Sequence, residues 1–173
     1  MSPAHSWGST QADRTLAFPC DALLPDGEAL YRAIDVDAPS PVLFRWLCQL
    51  RVAPYSYDWI DNFGRQSPPT LTHGVEALEI GQSIMSIFDL VAFEPNRHLT
   101  MRLRRAGGLF GDVAVTYLIV PLAADRARLV VKLLWCYPDT PGLGWLAARL
   151  LPWGDLVMMR KQLLTLKALA EKR

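Results

Sequence analysis

The sequence predicts an α+β domain in which one long C-terminal helix covers an antiparallel sheet. Residues 34–37 read Ile-Asp-Val-Asp, and the pattern turns helical at Ser40 and Pro41, so a first strand leads directly into a short helix. From Ser83 onward, apolar and polar residues alternate in segments separated by turn sequences, which is typical of antiparallel strands. Near the C-terminus, apolar residues recur at spacings of three and four, as in a helix with one buried face.

Length and charge limit the possible functions. The chain has 173 residues, which fits one domain, and we expect residues 28–173 to form it behind a flexible or surface-draped lead segment, residues 1–27. The net charge is +1, with charged residues at 20%, so the composition predicts no nucleic-acid partner and no polybasic membrane signal. Hydrophobic residues make up 51% of the chain, which suits a lined cavity or a well-filled core equally well.

The cysteines and the N-terminus bear on location. Cys20, Cys48 and Cys136 are odd in number and have no metal-ligand spacing, which favours a reducing compartment over a disulfide framework or a zinc site. No apolar segment has the length of a signal-peptide core or of a membrane span. We therefore expect a cytoplasmic protein without an integral membrane segment.

The helices after the first strand have recognisable ends. Ser40 is predicted to cap the first helix, with Pro41 at its first position. A second short helix is predicted over residues 57–63, ending at Gly64. Residues 65–81 then form a long connection, and loops of that length often have a function.

The later strands have one apolar face each, which must be buried against a covering element. The polar face is expected to meet solvent. The C-terminal helix is predicted to run for about 18 residues from a cap at Asp155. A separate helical piece, residues 143–151, is predicted to end at Pro152 and Gly154. The residues predicted to face one another across the sheet–helix interface are Val115, Tyr117, Ile119, Leu129, Val131, Leu133, Trp135, Leu156, Met159 and Leu163.

Few residues suggest chemistry. The three histidines are not near one another or a cysteine at ligand spacing, and no hydrolase or phosphate-binding motif occurs, so no cofactor is predicted. Asp58 and Asp61 share one face of the second short helix. Either is a candidate general base if buried, or a carboxylate that interacts favourably with the helix dipole. Tyr57 and Trp59 are candidates for packing groups or for ligand contacts at a pocket entrance.

Several segments carry a resemblance to a known family. Residues 34–44 match a pattern of the START-like helix-grip superfamily (SRPBCC) at Ile34, Val36, Ala38, Pro39, Val42 and Phe44. The phrase Tyr57-Asp58-Trp59 resembles a segment of one bacterial branch, and Arg128-Leu129-Val130-Val131 is similar to the penultimate strand of the superfamily. The resemblance implies a curved antiparallel sheet of about six or seven strands wrapped round a long C-terminal helix, with two short helices after the first strand.

The resemblance also implies a class of ligand. Members of this superfamily bind lipids, polyketides, sterols or isoprenoids in a cavity between sheet and helix, and some are cyclases or dehydratases. We therefore expect a hydrophobic small molecule as partner, with Tyr57, Asp58, Trp59, Val115, Tyr117, Ile119 and Val131 as pocket residues. The alternatives are a polyketide cyclase or dehydratase, and an interaction module with a filled cavity. An exposed apolar patch at residues 145–153 would favour the module. The oligomeric state stays open.

Overall fold

The fold is built on one six-stranded antiparallel sheet. The computed structural model describes residues 2–61, 64–107, 111–138 and 143–172. Within these residues, the strands lie in the order β1-β6-β5-β4-β3-β2. They are β1 (Glu28–Val36), β2 (Ser83–Ile84), β3 (Phe88–Glu94), β4 (His98–Leu103), β5 (Asp112–Ala123) and β6 (Arg126–Cys136). The predicted α+β class and strand number are confirmed.

The helices lie before, between and after the strands. They are α1 (Pro3–Ser6), α2 (Gln11–Arg14), α3 (Ser40–Cys48), α4 (Asp58–Asp61) and α5 (Leu143–Ala170), with 3₁₀ helices at Pro19–Ala22 and Gln49–Arg51. The two short helices predicted after the first strand are therefore present. None of the described helices combines the length and the hydropathy needed to cross a membrane.

The predicted ends of α3 and α4 need correction. Helix α3 begins at Ser40 itself and has no side-chain cap, because Pro39 occupies the capping position. Helix α4 begins at Asp58, and residues 62 and 63 of the predicted 57–63 segment lie outside the described residues. Gly64 has a φ of 76°, and its N–H donates to the carbonyl of Asp58 at 2.8 Å, which satisfies a free carbonyl at the helix end.

Helix α5 is longer than predicted. It runs unbroken for 28 residues from Leu143 to Ala170, about 42 Å at 1.5 Å per residue, so the predicted break at Pro152 and Gly154 is wrong. A proline inside a helix costs about 3 kcal/mol. That cost is offset because Leu151 before Pro152 and Met159 after it pack on the same core. The continuous helix also places Asp155 inside α5, where it cannot act as the predicted N-terminal cap.

The inner face of the sheet carries the main core. The β5–β6 register pairs Val115 with Leu133 and Tyr117 with Val131, so the apolar alternation of both strands meets on one side. Together with Met159, Leu163 and Leu166 of α5, these inner residues belong to one buried hydrophobic cluster. The predicted helix-on-sheet packing is therefore present.

The outer face of the sheet is covered as well, which differs from the predicted solvated face. Ser6 and Trp7 run along the edge of β1, where they form bridges to Tyr31 and Arg32. Phe18, Cys20 and Leu24 lie on the outer face and pack in a second hydrophobic cluster whose sheet residues are Tyr31, Ala33, Ala114, Leu118, Val130 and Leu134. The Cys20 N–H donates to Thr116 Oγ1 at 3.1 Å, and Thr116 hydrogen-bonds Thr100 at 2.9 Å. Polar side chains in the middle of this face are thus buried and paired.

Two contacts hold this N-terminal segment on the sheet. Gly8 has a φ of 72°, and a Cβ there would lie 2.0 Å from the carbonyl oxygen of Ala33, so only glycine permits the close approach to β1. Arg128 binds Asp13, with 2.8 Å between Nη2 and Oδ2. Burial raises the pKa of Asp13, but hydrogen bonds from Arg128 and Thr10 outweigh burial and lower the pKa to about 2.

Candidate ligand-binding pocket

A pocket of about 700 Å³ lies where one end of the sheet meets the middle of α5. Its size is within the ordinary range for small-molecule sites. The described lining residues are Ser86, Ile87, Phe88, Leu103, Arg104, Arg105, Gly107, Val113, Leu133, Trp135, Asp155 and Met158. Most of the lining is apolar, and the charged groups are two arginines at the end of β4 and one carboxylate from α5.

The strand alternation explains which sheet residues line the pocket. Val113, Leu133 and Trp135 are the last inner-face residues at this end of β5 and β6, and we call them the open end of the interface. Trp135 is 8% exposed, and its ring stacks on that of Tyr137 with 5.6 Å between ring centres. Trp135 gives the pocket an aromatic wall, which suits flat apolar ligands.

A buried ion pair adjoins the pocket. Arg32 lies on β1 with its side chain on the inner face, and its Nη2 is 2.7 Å from Oδ2 of Asp155 on α5. The Arg32 side chain is fully buried, and that of Asp155 is 10% exposed. Burial raises the pKa of Asp155 to about 6, although the charge and hydrogen bond of Arg32 act in the opposite direction. A carboxyl group with a pKa near neutrality is suited to proton transfer.

Arg32 also holds three backbone segments together. Its Nη2 donates to the carbonyls of Ala4 at 2.7 Å and Pro152 at 3.4 Å, and its Nη1 donates to the carbonyl of Tyr31 at 2.9 Å. The Nε–H is buried and has no hydrogen-bond partner among the described residues. Arg32 thus fixes α1, β1 and α5 around the position of the Asp155 carboxylate.

The other end of the interface is filled. Tyr117, Ile119, Leu129 and Val131, which we call the closed end, are each at most 2% exposed. The Tyr117 hydroxyl donates to Oε1 of Gln162 on α5 at 2.6 Å. Gln162 in turn donates through Nε2 to the carbonyl of Pro54 at 2.7 Å. Burial raises the pKa of Tyr117 far above its usual range, so the phenol stays neutral.

The residues predicted to bind ligand do not all come together. Tyr117, Ile119 and Val131 are at the closed end, and Val115 is buried in the core between the two ends. Asp58 accepts hydrogen bonds from the backbone N–H of Ser67 at 2.8 Å and from its hydroxyl at 2.5 Å. Trp59 is 75% exposed, and Tyr57 is half-buried. None of these seven is among the described lining residues of the pocket, and their contact with a ligand stays a prediction.

Arg32 and Asp155 are site residues that the sequence patterns did not predict. A signal for Arg32 was present, because in β1 it occupies the same alternating position as Leu30, Ile34 and Val36. A charged residue at such a position needs a buried partner. Asp155 was interpreted as a helix cap because of Pro152 and Gly154 just before it. The side chain of Asp61, the other carboxylate considered as a base, lies outside the described residues.

The fold is similar to that of several solved structures. The aromatase/cyclase ZhuI from Streptomyces sp. R1128 matches over 84% of this chain and 94% of its own, with 16% identity and a TM-score of 0.53. The di-domain aromatase/cyclase StfQ of the steffimycin pathway matches over 88% of this chain and 53% of its own, with 12% identity and a TM-score of 0.56. Protein CV1439 from Chromobacterium violaceum matches over 84% and 98%, with 17% identity and a TM-score of 0.53.

Sequence comparison adds nothing to these structural similarities. No family model and no curated protein matches the sequence. The structural similarities, at identities of 12 to 17%, establish the fold alone. The strand order and the long C-terminal helix follow the predicted plan, and the chain has the same helix-grip fold as these structures.

Proposed function

We propose that the protein binds a hydrophobic small molecule, of polyketide or lipid size, in the pocket between the open end of the sheet and α5. The observation that carries the proposal is the apolar pocket of about 700 Å³, with Leu133, Trp135 and Met158 beside the carboxylate of Asp155. A mostly apolar lining with a few polar groups is typical of small-molecule sites. The similarity of the fold to two aromatase/cyclases supports aromatic polyketides as the ligands to test first.

A cytoplasmic location is part of the proposal. Cys20 and Cys48 are buried thiols without a disulfide bond. Burial raises the pKa of Cys48 to about 12, which keeps the thiol protonated and unreactive. Buried thiols of this kind are compatible with a reducing compartment.

Native mass spectrometry of freshly purified protein, followed by a thermal-shift panel, tests the binding proposal. The panel contains emodin, naringenin, palmitate, cholesterol and a short-chain ubiquinone. At a free ligand concentration 100 times the dissociation constant, binding stabilises the native state by about 2.7 kcal/mol. For a domain of this size, that raises the melting temperature by roughly 5 to 10 °C. A panel that leaves the melting temperature unchanged, with no co-purified ligand, would contradict the proposal.

A second candidate function is acid–base catalysis of the dehydratase or cyclase type. Asp155 favours it, because its pKa of about 6 allows both protonation states near neutral pH. In a dehydration, ionised Asp155 takes a proton from the carbon next to a substrate carbonyl. The same proton then passes to the hydroxyl that leaves from the neighbouring carbon. Water departs, a carbon–carbon double bond forms, and the carboxylate is regenerated.

Two matched substitutions test the catalytic candidate. A β-hydroxy aryl ketone serves as substrate, and the ultraviolet absorbance of the conjugated enone reports its dehydration. Asp155→Asn removes the base, so the rate should fall about 10² to 10⁴-fold. Asp58→Asn is the control, because it changes a carboxylate that is not among the described lining residues. Equal rates for both variants and the wild type would leave ligand binding as the function.

A further inference from the structure

Helix α5 has a second apolar face that points away from the core. Leu146, Leu150, Trp153, Val157 and Leu164 are between 37% and 58% exposed. Their spacings of four, three, four and seven residues put them on one side of the helix, opposite the buried residues Met159, Leu163 and Leu166. We call these five exposed residues the outer stripe. A helix with apolar residues on both faces normally has a partner on each.

Positive charge accompanies the outer stripe. Arg149, Arg160 and Lys161 are exposed on the same outward side of α5, and none of them forms an ion pair within the described part of the chain. The only acidic residue in the α5 sequence is Asp155, which turns inward to Arg32. The net charge of +1 for the whole chain therefore conceals a local surface that is both cationic and apolar.

Tryptophans lie within and beside this surface. Trp153 belongs to the stripe, and Trp145, 66% exposed, lies at the start of the same helix. The guanidinium carbon of Arg149 lies 5.8 Å from the ring centre of Trp145. Tryptophan is enriched at the boundary between lipid headgroups and acyl chains, where its apolar ring and polar N–H are both accommodated.

The charges distinguish between two possible occupants of this surface. A second copy of the chain would meet the stripe through a two-fold axis, so each surface would face an identical one. Arg149, Arg160 and Lys161 would then approach their own counterparts, and α5 has no outward acid to pair with them. An anionic bilayer surface offers apolar depth to the stripe and negative charge to its cations.

We propose that the outer stripe of α5 docks peripherally on anionic lipid membranes, with Trp153, Leu150 and Val157 entering the interface and Arg149, Arg160 and Lys161 contacting lipid headgroups. The stripe residues Trp153 and Val157 lie in the same segment of α5 as the pocket residues Asp155 and Met158. The side chain of Ile87, which lines the pocket, is also 56% exposed. Docking would therefore hold the pocket close to the bilayer.

Vesicle flotation with the full chain tests the proposal. We expect binding to vesicles that contain 30 mol% phosphatidylserine in phosphatidylcholine, and much weaker binding to phosphatidylcholine alone. Each cation near an anionic surface contributes about fivefold to affinity, so Arg149→Gln with Lys161→Gln should weaken binding about 25-fold. Leu150→Gln with Val157→Gln should weaken it more than tenfold. Salt at 0.5 M should weaken wild-type binding, because it screens the charges.

Matched controls use exposed residues elsewhere. Leu122→Gln removes an apolar side chain that is 48% exposed at the far end of β5, and Arg97→Gln removes a cation in the β3–β4 turn. Both should leave vesicle binding unchanged. All these sites are exposed, so folding should tolerate the substitutions. No ligand is added, so the result is independent of the pocket proposal.

Three results would overturn the proposal. The first is an absence of wild-type binding to either vesicle, and the second is equal binding to both. The third is a dimer in sedimentation equilibrium that Leu150→Gln with Val157→Gln converts to a monomer, since the stripe would then be the contact between two copies of this chain.

Discussion

The two ends of the sheet–helix interface contain similar residues and differ in how they are filled. At the closed end, Tyr117 and Val131 pack against α5, and Oε1 of Gln162 accepts a hydrogen bond from the Tyr117 hydroxyl at 2.6 Å. At the open end, Leu133 and Trp135 continue the same alternation on the same strand, but they line a pocket of about 700 Å³. The side chains that α5 presents make the difference, Gln162 and Leu163 at one end and Asp155 and Met158 at the other.

This comparison shows what makes a pocket in such a fold. Apolar alternation decides which face a strand residue takes, and both ends satisfy it equally. Whether the facing side chains meet depends on the covering helix α5. At the open end, α5 presents the carboxylate of Asp155, which is held by Arg32, where an apolar side chain could have filled the space. A buried carboxylate in an ion pair is fixed in place, so it cannot move to fill apolar space as a leucine would.

The largest expected effect comes from removing Arg32. Arg32→Met leaves the Asp155 carboxylate and the carbonyls of Ala4 and Tyr31 buried without their donor. Breaking a buried pair from one side costs about 3 to 5 kcal/mol of the free energy of unfolding, measured by urea denaturation. Arg97→Met, which breaks the exposed pair with Glu94, should cost less than about 1 kcal/mol. Equal costs for the two variants would contradict a structural role for the buried pair.

Substitution of leucine by alanine at each end tests whether the pocket is present in solution. Leu129→Ala at the closed end creates a new void and should cost about 3 to 5 kcal/mol, as in other packed cores. Leu133→Ala at the open end enlarges a pocket that already exists, so the loss should be nearer 1 to 2 kcal/mol. Both residues are almost fully buried on β6, at 0% and 4% exposure, so burial alone cannot explain a difference. Equal losses would mean that the open end is packed in solution.

The pH dependence of stability sharpens the role of Asp155. Because burial raises the pKa of its carboxyl to about 6 in the folded chain, against about 4 when unfolded, the folded state holds the proton more tightly. Its contribution to stability is therefore fully present below pH 4 and is lost as the pH rises through 6. Asp155→Asn cannot ionise, so its stability should not show this pH dependence, which urea denaturation at several pH values measures.

Comparison with this variant isolates Asp155 from other groups. At pH 5 the wild type should gain about 1.3 kcal/mol relative to Asp155→Asn, compared with pH 7.5, because part of the effect is already lost between pH 4 and pH 5. Burial lowers the pKa of His98, which opposes the gain, but His98 is present in both proteins and cancels in the difference. A stability difference between the two proteins that stays the same from pH 5 to pH 7.5 would mean that burial does not raise the pKa of Asp155.

The smallest expected effect comes from Asp58, which is not among the described lining residues of the pocket. Asp58→Asn weakens two hydrogen bonds from Ser67 that hold the start of the 65–81 connection, and should cost about 1 kcal/mol. Ser67→Ala should cost a similar amount, and the double variant should cost little more, because both act on one interaction. The ligand-induced rise in melting temperature separates this role from the predicted pocket role. If Asp58 contacts the ligand, Asp58→Asn should reduce that rise.

Much of the fold could be predicted from the sequence, because it depends on local patterns. The alternation of β5 and β6, the strand-to-helix change near Ser40 and the apolar stripe of α5 each reflect short-range periodicity. The pocket could not be located in this way. Its position depends on Arg32 and Asp155, which are 123 residues apart, and a single sequence contains no record of that contact. The burial of Thr116 under Cys20 was missed for the same reason.

The most direct test of the central claim, that the open end binds a hydrophobic ligand, is the ligand-induced melting shift in a variant with a filled pocket. Met158→Trp places a larger side chain in the open end, and Leu129→Ala serves as the closed-end control. With the best ligand of the panel, the wild type and Leu129→Ala should each gain roughly 5 to 10 °C at saturation. Met158→Trp should gain less than about 1 °C. An undiminished shift in Met158→Trp would contradict the claim.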